Sequence, residues 1–268
     1  MKLLIFLLLF SLFFTSACVK DKSTLIDSPR TTSDLNEEAK IKKRVDSYMN
    51  LAVNALRKQN YPLAYENLFK ALKLNDSDKD LHNLIGLTYL YDGKEARAIK
   101  SFKNAIKIDP KYSEAHNHLG IVYSEIEEYK SAIKHFKKAL DNLTYKTPWI
   151  AYTNLGRAYM LNGDSNKAIK AIQKSLSKNT RQCVPYQILG KFNKNNKNYY
   201  DAKINYENAI KYCKIKEIEH LNLGVVFLTN KKYQESKKQL DLCVEIAKTN
   251  SNTRVVDECK RYLNLLEE

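Results

Sequence analysis

The chain has 268 residues, 44% hydrophobic and 28% charged, with 45 Lys and Arg against 30 Asp and Glu for a net charge of +15. That much apolar material supports a sizeable core and excludes a disordered chain. Only 7 Gly and 5 Pro interrupt it, too few for many short strands and tight turns, so the composition predicts an all-α fold.

Met1 and Lys2 open the chain with positive charge, Leu3 to Phe14 is apolar apart from Ser11, and Thr15, Ser16 and Ala17 precede Cys18. A run this short falls below the ~20 apolar residues that cross a bilayer and reads as a signal peptide over residues 1–17. Small residues directly before a cysteine resemble a lipobox, which implies that Cys18 is acylated and becomes the first mature residue. Thr15 stands where Leu is usual, leaving cleavage by ordinary signal peptidase, or an uncleaved anchor, as competing readings. Val19 follows in place of the Asp that retains enterobacterial lipoproteins at the inner membrane. That resemblance implies a lipid-anchored protein on the periplasmic face of the outer membrane. Residues 18–44 read as the lipidated cysteine and a flexible tether, polar around Pro29 and extended at least to Asn36.

The remainder repeats. Gly86, Gly120, Gly156, Gly190 and Gly224 are separated by 34, 36, 34 and 34 residues. A small residue follows each glycine twelve positions on (Ala98, Ala132, Ala168, Ala202, Ser236). A large one comes next, at Phe102, Phe136, Ile172, Tyr206 and Leu240. Ala52, Ala64, Leu68 and Ala71 fill the same slots one period earlier. This is the tetratricopeptide period of paired helices, in which small residues let two helices approach and large ones fill the spaces between. The chain is therefore expected to form six helix hairpins over residues 45–250, stacked as a solenoid, with residues 251–268 as a capping helix.

Repetition also accounts for the histidines. His82, His116 and His220 share the slot of Tyr48, Tyr152 and Tyr186, four residues before the repeat glycine, so they read as packing residues. His116 and His118 point to different faces, and no acidic partner stands at metal-ligand spacing, so no metal or other cofactor is expected. No nucleophile elbow, phosphate-cradling loop or HExxH pair is present, which argues against an enzyme and a small-molecule substrate. The lysines are scattered along the helices without interleaved aromatics, so nucleic acid is not the expected partner.

Four cysteines lie beyond Cys18. The midpoint of Cys183 and Cys213 falls in the turn 194–198, and that of Cys243 and Cys259 in the turn 249–252, so hairpin geometry sets each pair side by side as disulfide candidates. The competing reading makes Cys243, which takes a small-residue slot, a buried apolar thiol.

Six such repeats behind a lipidated cysteine resemble the type IV pilus pilotins of the PilF, PilW and Tgl group. The segment Tyr145-Lys-Thr-Pro148-Trp-Ile-Ala151-Tyr-Thr-Asn154-Leu-Gly156 is similar to the aromatic-x-x-Pro lead into the family's fourth repeat, and the cysteine-bearing C-terminal repeats resemble the Tgl branch. The resemblance implies a protein that binds outer-membrane secretin subunits and promotes their assembly at the membrane that holds its lipid anchor. A general adaptor for envelope proteases or barrel assembly, and an accessory binding lipid or peptidoglycan, stay open.

Helix phase places the partner-binding groove three positions before, one after and four after each repeat glycine. The positions are Met49, Val53 and Leu56, then Asn83, Leu87 and Leu90, then Asn117, Ile121 and Ser124, then Thr153, Arg157 and Met160. Leu87 and Ile121 read as apolar anchors, and Asn83 and Asn117 as partners for a peptide backbone.

Overall fold

The computed structural model describes residues 31–266, so Cys18 and the signal segment lie outside the described residues. The contact pattern divides the chain after Lys40. From there on the described residues form helices only.

The first helix, α1 (Thr32–Arg57), starts thirteen residues earlier than the expected first repeat at 45. Residues 32–44 are helical, where a flexible tether is expected. The reason is a local cap: Asp34 N donates to Thr31 Oγ1 at 3.2 Å while Thr31 N donates to Asp34 Oδ2 at 3.0 Å, satisfying free amides of the first turn.

Five hairpins follow the pairing of α1 with α2 (Tyr61–Leu74): α3 (Lys79–Tyr91) with α4 (Glu95–Ile108), α5 (Ser113–Glu125) with α6 (Tyr129–Leu140), α7 (Pro148–Leu161) with α8 (Ser165–Lys178), α9 (Cys183–Asn195) with α10 (Tyr199–Tyr212), and α11 (Glu217–Thr229) with α12 (Tyr233–Thr249). A last helix, α13 (Thr253–Asn264), packs on α12 and α11. The odd-numbered helices α3, α5, α7 and α9 touch one another in succession, while the even-numbered ones meet only through them. The odd helices thus make an inner layer and α4, α6, α8 and α10 an outer one.

The repeat glycines are explained by close approach. A Cβ on Gly86 would stand 2.5 Å from the Phe102 ring, and one on Gly120 2.7 Å from that of Phe136. Each glycine is the seat of the large residue sixteen positions later, which is why the two vary together along the chain. Phe102, Ile172 and Leu240 are fully buried there, and Phe136 nearly so. The other two glycines serve the hairpin turns. Gly93 and Gly163 have φ of +67° and +87°, and Gln59, Glu127, Lys197 and Lys231 adopt φ near +60° at the equivalent turns. Backbone geometry repeats there even where the residue type does not.

The two extra residues of the third period lie in the connection between α6 and α7. Tyr145 is buried against Ala139 and Ala151, and Pro148 stands in the first turn of α7, where its missing N–H costs no hydrogen bond.

Candidate functional site: the inner face

The inner layer presents two adjoining cavities. One, of about 260 Å³, is lined by Ile121, Ser124, Glu125, Phe136, Asn154, Arg157 and Leu161. The second, of about 630 Å³, shares Arg157 and Leu161 and extends to Met160, Ile188, Lys191 and Phe192. Together they run across α5, α7 and α9. Arg157 is exposed, and Leu161 is 56% exposed between the cavities, an unusual place for a large apolar side chain unless something covers it.

The charges of this face are graded. At the α5 end, burial first and the neighbouring Glu95 second hold the Glu125 carboxyl above the usual range, with Arg157 opposing both. Toward α9 the lining is cationic, with Arg157 and Lys191. An apolar floor with an acidic and a basic end suits a peptide with an apolar side chain between opposite charges.

The groove positions expected from helix phase divide. Ile121, Ser124, Arg157 and Met160 line the cavities. Leu56 packs into the first core cluster, with Met49 beside it. Val53 is partly buried on α1. Leu87 and Leu90 are half-buried against Ala98, Phe102, Leu119 and Val122, as Ile121 and Met160 are against the next core cluster. Asn83 is 8% exposed and its Oδ1 accepts from His118 Nδ1 at 2.8 Å; Asn117 is 3% exposed and its Oδ1 accepts from Asn154 Nδ2 at 3.1 Å. Both amides tie neighbouring inner helices together, which corrects the expectation that they serve a peptide. Thr153 is buried, with its hydroxyl 2.9 Å from the Trp149 carbonyl and 2.7 Å from Ser175 Oγ. It locks α7 to α8. The open stretch is therefore displaced from the first three repeats to the third, fourth and fifth. Leu161, Ile188 and Phe192 were missed because each lies one residue on from the phase chosen, and Ile188 and Phe192 belong to the fifth repeat, beyond the four whose groove positions were named.

The histidines are engaged in packing contacts, His118 between neighbouring hairpins and His116 and His220 within their own. His116 Nε2 faces the Pro110 carbonyl at 3.2 Å and its Nδ1 lies 3.1 Å from His135 Nδ1, while His220 Nδ1 lies 2.8 Å from Gln239 Oε1. Burial holds His118 and His135 down to about 4.

All four candidate cysteines are paired. Cys183 bridges to Cys213 with Cα atoms 4.8 Å apart, joining the far ends of α9 and α10. Cys243 bridges to Cys259 at 6.3 Å, joining α12 to α13. Cys183, Cys213 and buried Glu219 are the one grouping of metal-ligand types among the described residues. Both sulfurs are spent in the bridge, and Glu219 accepts from Gln187 Nε2.

Comparison with known proteins agrees with the architecture. A tetratricopeptide repeat profile matches residues 113–142, 150–177 and 220–250, and a second TPR repeat profile matches 89–126. No curated protein sequence matches the chain. Among solved structures, PilF of Pseudomonas aeruginosa superposes with a TM-score of 0.72 at 17% identity, over 83% of this chain and 99% of that one. PilW, described as a widely conserved type IV pilus biogenesis factor, superposes at 0.70 with 20% identity, over 82% and 98%. YrrB, described as a TPR protein with an unusual peptide-binding site, gives 0.54 at 18% identity, over 72% and 97%. The chain is an all-α tetratricopeptide-repeat solenoid that shares its fold with PilF and PilW over nearly the whole length of both.

Proposed function

We propose that the protein is a non-enzymatic pilotin of type IV pilus biogenesis, a lipid-anchored holder of secretin subunits at the outer membrane. The observation that carries this reading is the similarity in fold to PilF and PilW along almost their entire length and over 83% and 82% of this chain. The inner face supplies the means: an apolar strip through Ile121, Leu161 and Phe192, with Glu125 at one end, Arg157 between the two cavities and Lys191 at the other end. Held at a membrane by acyl chains on Cys18, such a groove raises the local concentration of the segment it binds, and assembly of a ring of subunits follows by mass action.

The test is the double variant Arg157→Glu with Leu161→Glu. Both side chains are exposed, so the helical signal should persist. Secretin multimers in the outer membrane should fall by tenfold or more, on the order of two strong interface contacts. A folded variant that still yields multimers at the wild-type level removes the reading. A general peptide-holding adaptor is the second reading, favoured by the larger cavity at Arg157 to Phe192. It predicts intact secretin multimers with loss of some other envelope complex.

A further inference from the structure

The outer layer carries a charge pattern that the inner-face reading does not use. Helices α4, α6 and α8 each contain four cations, α6 and α8 contain no acidic residue, and α4 contains only Glu95. All twelve of these cations are exposed. The outer helices toward either end are mixed: two lysines with one acid in α2, two with two in α10, three with three in α12. The lysines are therefore not scattered, as their even spacing in the sequence suggests. The fold gathers those of the middle three repeats onto one face, because each returns to the outer layer once per period.

Between α6 and α8 the inner helix α7 lies recessed and floors a furrow of about 430 Å³. Tyr152 and Tyr159 form its floor, and Lys137, Lys167, Lys170 and Lys174 stand at its rim. Lys137 and Lys167 approach the Tyr159 ring centroid to 5.8 and 5.7 Å, and Lys174 approaches that of Tyr152 to 5.9 Å. The negative ring faces hold mutually repelling ammonium groups together. Two acids lie at the helix ends, and both are engaged: Asp141, which lines the furrow beside Leu140, with Lys138 at 3.2 Å, and Asp164 with Lys167 at 3.3 Å, so four lysines face one neutralised carboxylate there. Lys137, Lys170 and Lys174 have no ion pair among the described residues.

We propose that this face docks on the phosphate headgroups of an anionic bilayer, with one phosphate seated among Lys137, Lys170 and Lys174. Three observations select that partner. Eleven of the twelve cations are Lys and only Arg97 is Arg, and point charges on flexible stems suit a diffuse array of phosphates, whereas forked carboxylate or base recognition draws on Arg. Of the tyrosines at the floor, Tyr159 is 8% exposed and Tyr152 is half-buried with Lys174 over its ring, so they offer no open stacking platform for nucleotide bases. Leu143, 98% exposed just beyond α6, shares a depression with Lys138 at the rim of the basic face, and an apolar side chain beside lysines is suited to the headgroup boundary. The assignment is independent of what the inner face binds.

Sedimentation with phosphatidylcholine vesicles, with and without phosphatidylglycerol, tests it on the full chain. An acyl anchor or apolar N-terminal segment enters both vesicle types alike, so the ratio of binding reads the face. Wild type should prefer the anionic vesicles by at least about tenfold, and the preference should vanish as salt rises from about 0.1 to about 0.5 M. Lys137→Gln, Lys170→Gln and Lys174→Gln together should cut the preference several-fold with an unchanged helical spectrum; if the triple variant loses helix, Lys170→Gln alone carries the test. Lys203→Gln with Lys211→Gln, on α10, should leave it intact. Equal binding of wild type to both vesicles, or a folded variant with undiminished preference, overturns the proposal. So does tighter binding to single-stranded DNA or to polyglutamate at equal charge, which would assign the face to nucleic acid or to an acidic protein.

Discussion

Tyr206 fills the slot that Phe102 and Phe136 fill three and two repeats earlier, and its ring sits over Gly190 as theirs sit over Gly86 and Gly120. The difference is one hydroxyl, which is buried and has no hydrogen-bond partner among the described residues. Burying that group unpaired costs free energy that a phenylalanine would not incur, so Tyr206→Phe should stabilise the protein by about 1 kcal/mol. Chemical denaturation should show a higher midpoint at unchanged slope. The buried histidines make the opposite contribution on acidification. Burial holds the folded-state values of His118 and His135 at about 4, below the unfolded value of 6.5. The unfolded chain therefore takes up protons first, and stability that is complete above pH 6.5 declines as pH falls toward 4. The urea midpoint should be lower at pH 5 than at pH 7.5, and His118→Gln should narrow the gap, because glutamine keeps a donor for Asn83 without a charge to acquire.

Among the elements, the C-terminal hairpins differ from the rest in being stapled. The fifth hairpin, α9 with α10, lies between the matched repeat segments and has few fully buried residues on α9, where only Pro185 and Gly190 qualify. The Cys183–Cys213 bridge closes that hairpin at its open end. The Cys243–Cys259 bridge does the same for α13, a helix of 12 residues and the last of the described ones. Cys243 occupies the slot of Ala105 and Ala139, so Cys243→Ala restores the common residue without leaving a hole. Cys243→Ala with Cys259→Ala should then lose about 2 to 4 kcal/mol, the effect of closing a loop of this size in the unfolded chain. Hydrogen exchange should show that loss concentrated in α12 and α13, and uniform exchange across the chain would contradict it.

At the scale of the whole molecule, two surfaces face in different directions: an inner one with an apolar strip and graded charge, and an outer one of nearly pure positive charge. A protein held at a membrane by its N-terminus can use the second to lie along the lipid while the first stays available. No described helix is long and apolar enough to cross a bilayer, so Cys18→Ala should release the mature chain from membranes at high salt, with fractionation as the readout. Fatty-acid labelling that persists in that variant would place the acyl group elsewhere.

Much of this was legible in the chain itself. The 34- and 36-residue spacing of Gly86, Gly120, Gly156, Gly190 and Gly224 determined the hairpin, the number of repeats and the pairs of residues that interlock, because a helix pair can bury its apolar faces in one register only. The cysteine pairs followed from the same symmetry about a turn. The tertiary structure decided what a one-dimensional period cannot. Repeat slots that look identical differ in their surroundings: Leu87 and Ile121 are both half-buried against neighbouring helices, and Ile121 also lines a cavity, because the space beside a slot depends on the size of side chains contributed from two neighbouring helices. The early start of α1 rests on a cap, Thr31 with Asp34, too local to register in a repeat. The basic face arises because residues a full period apart along the chain become neighbours across the stack, so charges that look dilute in sequence are summed in space.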